Sequence, residues 1–180
     1  MAPPGGNSEE AARFERLYQE YAPSVIAYVA RRVPSDLVAD TVAETFAVAW
    51  RRLDRVPASP GPWLLAVARR VAANQRRGLR RRAALVERAA SQLVTSAEPQ
   101  APSQVLEALA ALPERDREAI LLLAWEGLSA SEAAEVLGCS ATAYRLRLYR
   151  ARRKLAAQLD AMTEHQSEHL RTVLPPQERA

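Results

Sequence analysis

Apolar residues in this chain recur at intervals of three and four and nowhere alternate with period two over any length. That spacing fills one face of a helix and leaves no half-buried strand to assemble. The six glycines are scarce inside the apolar stretches, so the expected fold class is all-α. A first helix is expected over 8–33, with Ser8 as N-cap and Glu9 and Glu10 in its first turn. Its inward face carries Phe14, Leu17, Tyr21, Val25 and Val29. Pro34 should end it and Ser35 cap the next helix. That second helix carries Val38, Val42, Thr45, Phe46, Ala49, Trp50 and Leu53 on one stripe. The segment 57–62, PASPGP, reads as a loop. A third helix then begins near Pro62 or Trp63.

Residues 89–103, AASQLVTSAEPQAPS, have weak periodicity and two prolines. They read as a flexible linker between two small helical domains, 8–88 and 104–160, with a tail at 161–180. In the second domain Val105, Leu106, Leu109 and Leu112 make a short helix that stops at Pro113. A helix over 114–126, apolar at Ile120, Leu121 and Leu123, is expected to close at Gly127. Two short helices should follow around the turn Leu137–Gly138–Cys139–Ser140.

The net charge of +4 conceals its distribution. Residues 61–90 carry eight arginines against Glu87 alone, and residues 145–154 carry six basic side chains and no acid. Two basic islands in acidic surroundings suit two contacts with phosphate backbones; solvated helix faces are the alternative. The single cysteine, Cys139, excludes an internal disulfide and a cysteine-cluster metal site. No apolar run approaches the roughly 18 residues of a membrane helix, and the first residues lack the pattern of a signal peptide. The expected location is the cytoplasm, without membrane insertion.

The segment GLSASEAAEVLGCSATAYRLRLYRARRKL (127–155) is the most informative. Ser129 and Glu132 have the spacing of a capping box. Ala133, Ala134, Val136 and Leu137 form a small apolar face, Gly138 suits a tight turn, and Ser140 can cap the next helix. Tyr144, Leu148, Ala151 and Leu155 then face inward, leaving Arg145, Arg147, Arg150, Arg152 and Arg153 outward or flanking. This is a helix-turn-helix whose second helix can reach base edges and phosphates. An αα-hairpin with a basic solvent face is the bland alternative.

With these residues in view, the segment resembles region 4 of the extracytoplasmic-function sigma factors of bacterial RNA polymerase. The likeness rests on Gly127 to Ser129, Glu132, Ala134 to Cys139 and Arg147 to Arg152, preceded by Leu112–Pro113–Glu114–Arg115–Asp116–Arg117–Glu118. It implies that Arg145, Leu146, Arg147, Tyr149 and Arg150 read the upstream (−35) promoter element. The chain departs from the family at Thr142–Ala143–Tyr144, where Gly–Thr–Val is usual, and at Leu146, where serine is usual.

The resemblance extends over residues 10–82. DTVAETFAVAWRRLDR (40–55) resembles region 2.2, and Asp40 and Glu44 share a helix face. The resemblance implies that Asp40, Glu44 and Arg51 dock the polymerase clamp. PWLLAVARRVAANQRRGLRRR (62–82) resembles regions 2.3 and 2.4, which capture bases of the downstream (−10) element. Arg69, Arg70, Asn74, Gln75, Arg76 and Arg77 are the candidates: the amides for base edges, the arginines for phosphates. Trp63 could stack on a base, but core is favoured. The implied partners are the clamp and flap of core RNA polymerase, promoter DNA and, as is common in the family, an anti-sigma factor. No cofactor or metal is implied, and no catalysis.

The run His165–Gln166–Ser167–Glu168–His169 spells a zinc-protease pattern but has no third ligand nearby, so a solvated helix is expected. Cys139 is expected to be a buried small hydrophobe. No nucleophile, metal set or phosphate-cradling loop supports an enzyme. Two other readings fit the same residues. One is a helix-turn-helix regulator acting without polymerase; the other is a protein whose basic helices dock an acidic partner.

Overall fold

The helical spacing is realised as helix throughout. The computed structural model describes residues 6–87 and 104–173, with side chains over 8–79 and 104–164. Among the described residues there are seven α-helices, two 3₁₀ turns and no strand. They group into two compact units, α1 to α3 with residues 131–140 in one and α4, α5 and α7 in the other. The expected linker, 89–103, lies outside the described residues.

In the first unit α1 (Gly6–Ala30), α2 (Val38–Arg51) and α3 (Pro60–Glu87) pack on one another. Helix α1 runs through Pro23. Proline has no N–H for the Gln19 carbonyl and would break an isolated helix. Burial of Leu17, Ala22, Val25, Tyr28 and Val29 holds it together instead. At its end the Arg32 guanidinium donates to Tyr28 O at 2.9 Å and lies 3.5 Å over the Tyr28 ring. This satisfies a terminal carbonyl and shields the aromatic face. The helix stops three residues before the expected boundary at Val33, and Val33 N–H closes back on Val29 O.

Ser35 is not the cap it was expected to be. Residues Ser35–Leu37 form a 3₁₀ turn, and α2 begins at Val38 without a side-chain cap hydrogen bond. The inward stripe of α2 is Thr41, Val42, Thr45, Phe46 and Ala49, with the Thr45 hydroxyl donating to Thr41 O at 2.7 Å. Trp50 leaves that stripe and is 41% exposed. Its ring meets Phe14 edge-on at 5.1 Å, while Tyr18 meets Phe46 at 4.7 Å, so aromatic edges tie α1 to α2.

The expected loop 57–62 is shorter than its composition suggests, because α3 starts at Pro60. Proline at the first helical position loses no hydrogen bond and arrives with a helical φ. Arg13 donates to Val56 O at 3.3 Å and ties the connection to α1. A Cβ on Gly61 would meet the Tyr21 ring at 3.4 Å, so α1 and the start of α3 approach closely here. Leu64, Leu65, Val67, Ala68, Val71 and Ala72 are the buried face of α3. Trp63, favoured as core, is half-buried.

The second unit contains α4 (Gln104–Ala111), α5 (Glu114–Ala124) and α7 (Ala141–Val173). Leu109, Leu112 and Leu121 cluster with Ile120 and Leu155. Pro113 precedes α5, whose first turn carries Glu114 and Asp116 beside the exposed N–H groups. The Tyr144 hydroxyl, fully buried, donates to Ala119 O at 2.9 Å and fixes the register of α7 on α5. Lys154 and Asp116 add an ion pair at 2.6 Å on the same seam. Helix α5 ends at Ala124, two residues early, and Gly127 then takes φ +64°.

In chain order α6 (Ala130–Leu137) comes between α5 and α7, with Ala133, Ala134 and Val136 buried. It closes in a Schellman turn: Gly138 N–H donates to Glu135 O at 3.1 Å and Cys139 N–H to Ala134 O at 3.0 Å. Gly138 sits at φ +67°, a conformation that a Cβ disfavours. Ser129 and Ser140 stand one residue before α6 and α7. The expected tail at 161–180 begins as helix, since α7 continues to Val173.

Candidate nucleic-acid interface

The second basic island lies on α7. Tyr144 and Ala151 are fully buried and Leu148 and Leu155 half-buried, which is the inward face expected from the spacing. The opposite side of the helix is therefore set. It presents Arg145, Leu146, Tyr149, Arg150 and Arg153, all exposed, in two rows four residues apart. Leu146 is 49% and Tyr149 59% exposed, large values for apolar side chains on a packed helix. Arg147 is half-buried beside them. A face that mixes guanidinium groups with an exposed leucine and tyrosine can grip phosphates and meet thymine methyl groups.

The first island faces a groove. Along α2 and its C-cap residue, Asp40, Glu44, Val48 and Arg52 line the groove at four-residue intervals. Along α3, Arg70 and Asn74 form one such row, and Val67, Val71 and Gln75 another. Between them lies a groove of about 720 Å³. Buried Val67 and Val71 give it an apolar floor, and the lining also holds two carboxylates, two guanidiniums and two amides. An apolar floor accepts the flat of a base, and the amides can hydrogen-bond its edge.

The fold thus brings together Asp40, Glu44, Arg70, Asn74 and Gln75, which lie about thirty residues apart in sequence. It does not bring Arg51, Arg69, Arg76 or Arg77 into the lining. Arg51 pairs with Glu44 at 3.2 Å, with both side chains more than half exposed, so the pair is weak. Arg69 and Arg76 are half-buried on α3. Arg77 is exposed and donates from Nη2 to Asn74 Oδ1. Sequence reasoning missed Arg52 in the lining; extending the Asp40–Glu44 row by two further steps of four would have found it.

Cys139, expected to be buried, is half-buried in the turn before α7. Among the described residues no three His, Cys, Asp or Glu side chains gather closely enough to hold a metal ion. The run 165–169 lies on α7, with its side chains outside the described residues. No described helix is long and apolar enough to cross a membrane.

Fold and charge together define a class: two-part helical proteins with a helix-turn-helix. The Sigma-70 region 2 family model matches residues 17–82, and the Sigma-70 region 4 model matches residues 103–155. The chain is 33% identical over 152 residues to the RNA polymerase sigma factor CarQ of Myxococcus xanthus, covering 79% of this chain and 86% of that one. It is also 33% identical over 144 residues to the probable RNA polymerase sigma factor RfaY of Xanthomonas campestris, covering 72% of this chain. The matched part spans 36% of the length of that relative. Among solved structures, the sigma factor RpoE of Bartonella quintana, in complex with the anti-sigma factor NepR, aligns with a TM-score of 0.62 at 25% identity. The alignment covers 82% of this chain and 96% of that one. With 32% identity over 159 residues to the ECF RNA polymerase sigma factor SigC of Mycobacterium tuberculosis, covering 84% of each chain, the chain belongs to the extracytoplasmic-function sigma factors of bacterial RNA polymerase.

Proposed function

We propose that this chain directs RNA polymerase to its promoters as a non-catalytic initiation factor acting in the cytoplasm. In this reading residues 8–88 form the part that docks core polymerase and captures the −10 element. Residues 104–160 form the part that reads the −35 element, residues 89–103 tether the two, and 161–180 is an extension. Asp40 and Glu44, with Arg51 beside them, meet the clamp. Arg70, Asn74 and Gln75 receive a base of the opened −10 strand, and Arg69, Arg76 and Arg77 serve its backbone or flank it. Arg145, Leu146, Arg147, Tyr149 and Arg150 enter the major groove of the −35 duplex. Val105, Leu106 and Trp125, about half exposed on α4 and at the end of α5, are apolar contacts suited to the flap. The Bartonella relative bound to an anti-sigma factor supports a similar partner here.

The observation that carries this reading is the groove between α2 and α3. It pairs an acidic row with arginine and amide side chains, and a regulator that only reads duplex DNA has no use for such a combination. The test is run-off transcription with purified protein, core polymerase and a pool of genomic promoter fragments. Discrete transcripts that disappear in the double variant Asp40→Arg, Glu44→Arg are expected. No transcripts, together with sequence-specific duplex binding by the protein alone, would replace this reading with a free-standing regulator.

A further inference from the structure

The hydrogen bond between Arg77 and Asn74 has a direction. The guanidinium donates from Nη2 to Asn74 Oδ1, one helical turn apart on α3. An asparagine amide offers an acceptor at one end and two donors at the other, and unrestrained it can present either by turning over. Turning over here would set the amide N–H₂ against the guanidinium N–H groups, donor against donor. Both side chains are exposed, so the bond is modest in strength, and it biases the amide toward one sense. Asn74 lines the groove and Arg77 does not. Arg77 therefore reaches the groove through Asn74. The end of the amide that is not held is Nδ2, with two donors.

We infer that Arg77 is a positioning residue for base choice: by holding Asn74 Oδ1 it makes Asn74 present N–H donors, which select a base with an acceptor at the edge it reaches. That acceptor is a carbonyl oxygen or an unprotonated ring nitrogen of a base in the opened strand. The inference rests on the proposed capture of a −10 base in the groove. It moves Arg77 from the backbone role that its charge suggested to a role in specificity.

The two roles make opposite predictions. A phosphate contact weakens all sequences alike when removed and lowers the salt slope of binding by about one. A positioning residue changes preference at one base and leaves the slope alone. The experiment uses holoenzyme assembled from the full chain and core polymerase. The probe is a fork-junction DNA whose −10 element is single-stranded, with each position varied through the four bases. Asn74→Ala is expected to flatten the preference at one position by roughly fivefold or more, the discrimination of a hydrogen-bonded base contact. Arg77→Ala flattens the same position with the salt slope unchanged. The double variant is no worse than either single one, because both act through one amide. Arg77→Lys, whose ammonium can still donate to Oδ1, keeps part of the preference.

If Arg77→Ala instead weakens every sequence equally and lowers the slope, or changes neither readout, Arg77 does not position Asn74 and the inference is overturned. Unaltered preferences in Asn74→Ala would overturn the proposed base capture by α3, and this inference with it. Arg77 is exposed, so its variants keep the fold.

Discussion

At the scale of single residues, burial divides α7 into side chains that pack and side chains that face outward. Tyr144 is fully buried with its hydroxyl bonded to Ala119 O. Tyr144→Phe keeps the ring and removes one buried hydrogen bond, so it should lower unfolding free energy by about 1 kcal/mol in urea titration. Leu146 and Tyr149 stand on the opposite face. Leu146→Ala and Tyr149→Ala should move stability by less than about 0.5 kcal/mol while reducing binding to the −35 duplex, measured on the same preparations. A variant that lost both stability and binding would mean that its side chain packs rather than reads. Trp50 is the instructive misassignment on α2. It sits at the edge of the apolar stripe on the last turn, and its ring packs edge-on against Phe14 across the helix pair.

At the scale of elements, the junctions obey backbone chemistry more closely than composition. Proline-rich 57–62 reads as loop, yet α3 takes Pro60 as its first residue because that position needs no N–H. Ser35 can cap a helix, but the chain spends one 3₁₀ turn before α2 begins. The Schellman turn after α6 depends on Gly138, whose φ is +67°, and a Cβ there would touch nothing within 4 Å. The cost of Gly138→Ala is thus conformational alone and should be about 1 kcal/mol, read as a lower thermal midpoint. Gly127→Ala, at φ +64° and equally open, should cost a similar amount. A neutral result at either site would mean that the turn relaxes to negative φ.

At the scale of the whole molecule, the proposed function divides the work between two basic islands. Binding to duplex −35 DNA should weaken steeply with salt, and Arg145→Ala, Arg150→Ala should reduce the slope of log K against log[salt] by about two if both side chains contact phosphate. A change in base preference without a change in slope would make them base readers. Joining two weak sites on one tether raises affinity through effective concentration. Cleavage within 89–103 should therefore reduce promoter affinity of the holoenzyme by roughly 10²-fold or more, measured by competition on intact and cleaved protein. Equal affinity after cleavage would mean that one part supplies the binding.

The sequence by itself determined the helical class, the inward face of α7, the glycine turn before it and the positions of the two charge islands. These follow from local rules: a 3.6-residue period, the φ that glycine permits and the order of charged residues along the chain. The α2–α3 groove was decided only by tertiary structure. Asp40 and Glu44 share a face for a local reason, but their placement opposite Arg70, Asn74 and Gln75 depends on how α2 and α3 cross, which side-chain packing sets. Arg52 joins the lining as a further step of the Asp40–Glu44 row, and the Arg77–Asn74 bond joins residues one helical turn apart on α3, so both follow from the helical period once the groove is formed.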